Sequence, residues 1–146
     1  MLSKSQARAF FLGGTVVTFG VFLGLSWNTL STTVPKQTNS GNITPEVISG
    51  KHLWESNNCM GCHTIMGEGA YYAPELTKVV ERRGPEYIKV VLMSKTPWAP
   101  RGRKMVPYGF SEKEANDLLA FLGWVGNVDL NGFPQKPKYN ITPNTK

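Results

Sequence analysis

The chain has 146 residues, two cysteines and a formal net charge of +6 from 16 basic and 10 acidic side chains. That length holds one compact domain with appendages, and both cysteines sit in one motif, which leaves none for a disulfide. The positive balance would suit nucleic acid, but Lys4 and Arg8 precede an apolar span and Arg82, Arg83, Arg101, Arg103 and Lys104 alternate with acids or share a loop. No nucleic-acid-binding motif accompanies them.

Residues 1–8 form a short basic N-terminus. From 9 to 35 no residue is charged, and 9–30 contains Phe10, Phe11, Leu12, Val16, Val17, Phe19, Val21, Phe22, Leu23 and Leu25. As a helix this stretch rises roughly 33 Å, enough to cross a bilayer core. A cleaved signal peptide has a shorter apolar region ending at a small-residue site; here Trp27 follows as an interfacial anchor, so an uncleaved signal-anchor helix is expected. Lys4, Arg8 and the amino terminus place the N-terminus in the cytoplasm and the rest outside. Gly13, Gly20 and Gly24 share one helical face, which suits close approach of a second helix or reflects the glycine content of membrane helices in general.

Residues 31–43, rich in Ser, Thr, Asn and Gln with Pro35 and Gly41, read as a linker. Thr44-Pro45-Glu46 then starts a helix, with Thr44 as N-cap and Pro45 at the first position. Val47, Ile48, Gly50, Leu53 and Trp54 give it an apolar side, and His52 falls off that side. The helix leads into Cys59-Met60-Gly61-Cys62-His63. Two thiols three positions apart, followed directly by an imidazole, are the attachment signature of a c-type haem: each sulfur becomes a thioether to a porphyrin vinyl group, and the histidine lies under the iron. Gly61 lets the backbone pass close to the macrocycle. A redox-active Cys-x-x-Cys needs a βαβ setting that is not visible here, and a structural zinc needs four ligands where the chain offers only His52 beyond the motif.

Glycines and Pro74 make 64–76 a loop folded around the haem edge, with one of Tyr71 and Tyr72 inward and the other outward. Short helices are expected over 76–83 and 85–95, the latter with Tyr87, Ile88, Val91 and Leu92 on its apolar face. The segment 96–109 holds Pro97, Pro100 and Pro107 and forms an irregular loop that presents Met105. Ser111-Glu112-Lys113-Glu114 is a capping box that opens an amphipathic helix to about Val125. The proline-containing tail, 128–146, either wraps over a partner or is disordered.

A low-spin electron-transfer haem takes a second axial ligand, and thioether sulfur raises its potential relative to imidazole. Met60, Met66, Met93, Met105 and His52 are the candidates. Met60 lies inside the attachment loop, Met66 is too near the proximal histidine, and Met93 belongs to a helix face. Met105 is preferred, because a proline-held loop is suited to present sulfur across a haem face.

Helix, Cys-x-x-Cys-His, proline loop, short helices, methionine loop and C-terminal helix together resemble class I cytochrome c, an all-α domain packed around one covalent haem c, here tethered by one N-terminal transmembrane helix. Gly50 and Trp54 match the positions where that family's first helix crosses its last, and Pro74 matches the proline whose carbonyl accepts the His63 Nδ1 proton. More specifically, the run Trp54-Glu55-x-Asn57-Asn58-Cys59, then Cys62-His63-Thr64-x-x-Gly67-Glu68-Gly69-Ala70-Tyr71-x-Ala73-Pro74-Glu75-Leu76, then Arg82-Arg83-Gly84, resembles the small cytochrome c subunits of bacterial nitric oxide reductases. One departure is Val106, which separates Met105 from Pro107 where that family tends to have Met-Pro.

The resemblance implies a cytochrome c domain over 44–127 in the periplasm of an inner-membrane protein. It implies Cys59 and Cys62 as thioethers, and His63 and Met105 as axial ligands. A soluble periplasmic donor, a cytochrome c or a cupredoxin, would reduce it. Electrons would pass to a large subunit with haem b and a haem b3/non-haem iron centre, where two NO become N2O. No catalytic residue is expected in this chain. A calcium ion at the interface with that large subunit would take main-chain oxygens of Gly69 and Tyr71. The alternatives are a free-standing membrane-tethered shuttle and a cytochrome c subunit of a haem–copper oxidase.

Overall fold

A computed structural model of the chain describes residues 3–99 and 102–132. The chain divides into two compact units, Met1–Ser40 and Gly41–Lys146.

The N-terminal unit is one rod. Helix α1 (Lys4–Asn28), a wider π-helical turn (Thr29–Thr33) and α2 (Val34–Gln37) follow one another without a break. Ser3 caps the start: its hydroxyl accepts from Gln6 N at 3.3 Å while Ser3 N donates to Gln6 Oε1 at 2.9 Å. The most apolar stretch has a mean hydropathy of 1.8 and buries nothing within the chain, as a lipid-facing surface requires. Thr15 and Thr18 donate their hydroxyls to Phe11 O and Gly14 O at 2.8 and 2.9 Å, so neither brings an unpaired donor into that surface.

Residues 31–43, expected to be a linker, are helical as far as Gln37, and Ser40–Asn42 adds a 3-10 turn. Pro35 is tolerated because it sits near the start of α2, where the preceding turn has already widened to a Val34 N to Thr29 O bond. Thr32 and Thr38 also donate to Asn28 O and Val34 O, supporting the rod.

The second unit is helical. Its frame is α3 (Pro45–Ser56) crossing α6 (Glu112–Gly126), with α4 (Val79–Arg83) and α5 (Pro85–Met93) packed on α6. Thr44 caps α3 by accepting from Val47 N, and the Ser111–Glu114 capping box opens α6. At the crossing, a Cβ on Gly50 would lie 2.0 Å from the Asp117 carbonyl oxygen, so only glycine permits this approach. Trp54 tilts onto Phe121 with ring centroids 6.1 Å apart, and Val47, Ile88, Leu92, Leu118, Leu122 and Val125 complete much of the core. Asp117 is buried in the seam, its Oδ2 accepting from Ser49 Oγ and Lys113 Nζ, both at 2.7 Å.

Three local expectations change. Ile48 is half-exposed, because Val47, Gly50 and Trp54 define the buried face and Ile48 lies one step around the helix. The loop 64–76 contains a hairpin, β1 (Thr64–Ile65) against β2 (Glu68–Gly69), closed by Met66 and Gly67 at φ +55° and +86°, the two-residue turn with both central residues left-handed. The third helix begins at Val79 rather than 76, and α5 ends at Met93 rather than 95, where Phe110 N takes the Leu92 carbonyl at 3.2 Å. In the tail, residues 133–146 lie outside the described residues.

Candidate haem site

Helix α3 ends by handing the chain to a tight turn. Asn57 caps it, Asn58 takes a left-handed φ of +49°, and Cys59–Gly61 forms a single 3-10 turn. This turn brings Cys62 N and His63 N onto the Cys59 carbonyl at 3.1 and 2.9 Å, so both thiols and the imidazole leave one compact loop. Cys59 is partly buried, Cys62 is exposed, and both are free thiols. Gly61 would bring a Cβ within 2.8 Å of the Asn58 side chain.

The imidazole is fixed from behind. His63 Nδ1 lies 2.7 Å from the Pro74 carbonyl oxygen. A carbonyl only accepts, so Nδ1 carries the proton and Nε2 is left with its lone pair. Burial holds the imidazole below its ordinary pKa against the opposing effect of the Pro74 bond, which favours the neutral form that ligates metal. Burial, with Cys62 as a lesser contribution, pushes the Cys59 thiol up to about 11. A redox-active Cys-x-x-Cys has the opposite property, a depressed thiol pKa.

Met105 lies on the segment between α5 and α6. Its N–H donates to Trp98 O at 2.9 Å, folding that segment back on itself, and its side chain is partly buried against the core. Two side chains tie the segment to the rest of the site. Tyr108 Oη donates to Asn57 O at 3.3 Å, next to the attachment turn, and its pKa is raised by burial and by the nearby Cys59 and Cys62. Arg103 donates Nη1 to Tyr71 O at 3.3 Å and to Tyr72 O, with its guanidinium 5.3 Å from the Tyr72 ring centroid. Tyr71 and Tyr72 do not divide inward and outward as expected; both are exposed, because Arg103 covers Tyr72 from outside. His52 projects to solvent with 75 % of its side chain accessible.

Gly69, at φ +121°, packs so closely that a Cβ would meet the His63 carbonyl oxygen at 2.3 Å. Among the described residues no three His, Cys, Asp or Glu side chains gather into a metal site. The roles of Arg103, Tyr108 and the contacts of Glu75 with Thr77 and Arg82 emerge only from the structure. The one signal in the sequence is the Arg82-Arg83-Gly84 run, to which sequence reasoning attaches no role.

The donor set fits a covalent haem: two adjacent thiols, one imidazole with Nδ1 already committed, and a methionine on a separately anchored segment. Fold and site define a cytochrome c, and the sequence profile of the Cytochrome c family matches residues 47–126. The chain is 41% identical to the cytochrome c subunit of nitric oxide reductase from Stutzerimonas stutzeri over 90% of its own length and 93% of that protein's. It is 40% identical to the corresponding protein of Halomonas halodenitrificans (93% and 96% covered) and 34% identical to that of Paracoccus denitrificans (92% and 95%). The chain belongs to the family of nitric oxide reductase cytochrome c subunits: it is a haem c-bearing electron-transfer subunit associated with a catalytic subunit, with a long apolar helix at its N-terminus.

Proposed function

We propose that Cys59 and Cys62 hold the haem as thioethers, that His63 Nε2 and Met105 Sδ are its axial ligands, and that the domain relays electrons from a soluble periplasmic donor to the catalytic subunit. When bound, the haem supplies a one-electron couple. The observation that carries the reading is the 2.7 Å contact between His63 Nδ1 and Pro74 O, which commits the other ring nitrogen to the metal. His52, the one competing imidazole, points to solvent. Met60 and Met93 are substantially exposed, and Met66 sits at a hairpin turn whose N–H is tied to Thr77. Met105 alone combines partial burial with a segment anchored on both edges by Tyr108 and Arg103. Two ligands held this way limit reorganisation between oxidation states.

Lys4 and Arg8 ahead of the apolar helix support a cytoplasmic N-terminus and a periplasmic haem domain. The catalytic partner is read as a membrane subunit with haem b and a haem b3/non-haem iron centre. A membrane anchor raises the effective concentration of the domain beside it. Gly69 and Tyr71 main-chain oxygens supply at most two of the six to eight ligands calcium takes, and Tyr71 O already accepts from Arg103. A calcium site here therefore takes its remaining oxygens from the partner.

The test is purification from native membranes in mild detergent, with redox-difference spectra and NO turnover. Co-purifying b- and c-type haems with NO reduction support this reading. A lone c-type band without a partner makes the chain a free-standing tethered shuttle, and O2 rather than NO turnover makes it an oxidase subunit.

A further inference from the structure

The segment 73–77 lies alongside 62–66 as a short ladder in which the axial histidine is one rung. Ala73 N donates to Cys62 O at 2.8 Å, and Leu76 N to Thr64 O at 2.9 Å. His63 Nδ1 reaches Pro74 O between them, and Met66 N donates to Thr77 Oγ1 at 2.7 Å at the far end. Pro74 has no N–H of its own, so the direction of its carbonyl is set by how the next residue is held.

That residue is Glu75, and it is fastened twice. Its carboxylate Oε1 accepts from Thr77 N at 2.6 Å and from the Thr77 hydroxyl, folding the side chain back over the turn. Its main-chain oxygen accepts from Arg82 Nη2, while Arg82 Nη1 lies 3.4 Å from Oε2. One guanidinium therefore grips both backbone and side chain of the residue after the proline, a fork that only arginine offers. Thr77 is wholly buried, so the inner end of the network is fixed. Arg82 comes from α4, the other element involved.

We infer that Glu75 and Arg82 are positioning residues that aim the Pro74 carbonyl at His63 and thereby set the haem's reduction potential. The inference rests on His63 being the axial ligand. A firmly held acceptor makes the imidazole a stronger donor, which favours ferric iron and lowers the potential. The Glu75–Arg82 pair is partly solvated, so it contributes little to stability; its effect is on geometry.

The charges allow position and field to be separated. Glu75→Gln removes a negative charge and Arg82→Gln removes a positive one. A field effect alone shifts the potential up in the first and down in the second. Loss of aim shifts it up in both, and also up in Arg82→Lys, which keeps the charge but not the fork. Each variant is prepared as the intact complex and titrated on its c-type α band, with thermal unfolding followed in parallel. Upward shifts in Glu75→Gln and Arg82→Lys, with Arg82→Gln no lower than wild type, support positioning. Opposite shifts in the two Gln variants, or no shift in Arg82→Lys, overturn it. A variant without the c-type band is replaced by Thr77→Val, which removes the hydroxyl that links Glu75 to Met66; an unchanged potential there also overturns the inference. If the potentials of all variants match wild type and His63→Met retains a normal low-spin spectrum, the histidine assignment itself fails.

Discussion

At the residue scale, the histidine is legible in the sequence and its surroundings are not. Cys59, Cys62 and His63 announce themselves because their spacing carries one chemistry, and the Pro74 contact expected from resemblance is present at 2.7 Å. Arg103 and Glu75 are silent, since a guanidinium or carboxylate that binds main-chain oxygens or N–H groups across a loop leaves no periodicity. Met105 follows by elimination among five residues, and it is the assignment most in need of a direct test. Met105→Ala is expected to lower the reduction potential and to open a coordination position that binds CO, whereas His52→Ala leaves spectrum and potential unchanged. An unaltered low-spin spectrum in Met105→Ala, with loss in Met66→Ala, would transfer the role to Met66.

At the element scale, α3 and α6 are readable at both starts because their caps are local: Thr44-Pro45 and Ser111-Glu114 fix a boundary within four residues. The rod through Gln37 reads as linker because Ser, Thr and Pro signal loops in water, whereas threonine hydroxyls that bond back along the helix remove that conflict. The α3–α6 crossing depends on Gly50. Gly50→Ala places a methyl against Asp117 O and is expected to destabilise the domain by about 1–3 kcal/mol, read as a lower denaturation midpoint with unchanged m-value. Asp117 adds a pH dependence to the same seam. Its hydrogen bonds from Lys113 and then Ser49 hold the carboxyl below the ordinary aspartate range. The unfolded chain then binds the proton more tightly, so the contribution is complete above about pH 4 and is lost as pH falls through the lowered folded value. Asp117→Asn is expected to lower the melting temperature at neutral pH and to flatten its fall below about pH 4. Parallel acid limbs in mutant and wild type would remove Asp117 from that transition.

At the scale of the whole molecule, an apolar rod and a compact haem domain are separate units of one chain, and each has its own physical logic. The rod exposes its apolar side chains because lipid is their solvent. Its short basic leader predicts orientation: a phosphatase fused behind residue 146 is expected to be active in the periplasm, and a cytoplasmically active reporter at that position would invert the topology. Class and family are legible because Cys-x-x-Cys-His and the His-Thr-x-x-Gly-Glu-Gly-Ala-Tyr run are contiguous. The partners are legible only through resemblance, since an interface leaves no period in one sequence.

The most direct test of electron relay is rapid mixing of the reduced, donor-free complex with NO while the c-type α band is followed beside the b-type bands. If this chain feeds the catalytic subunit, the c-type haem oxidises in step with NO consumption, and Met105→Ala alters that oxidation without altering the b-type spectrum. A c-type haem that stays reduced while NO is consumed would show that electrons reach the catalytic centre by another route.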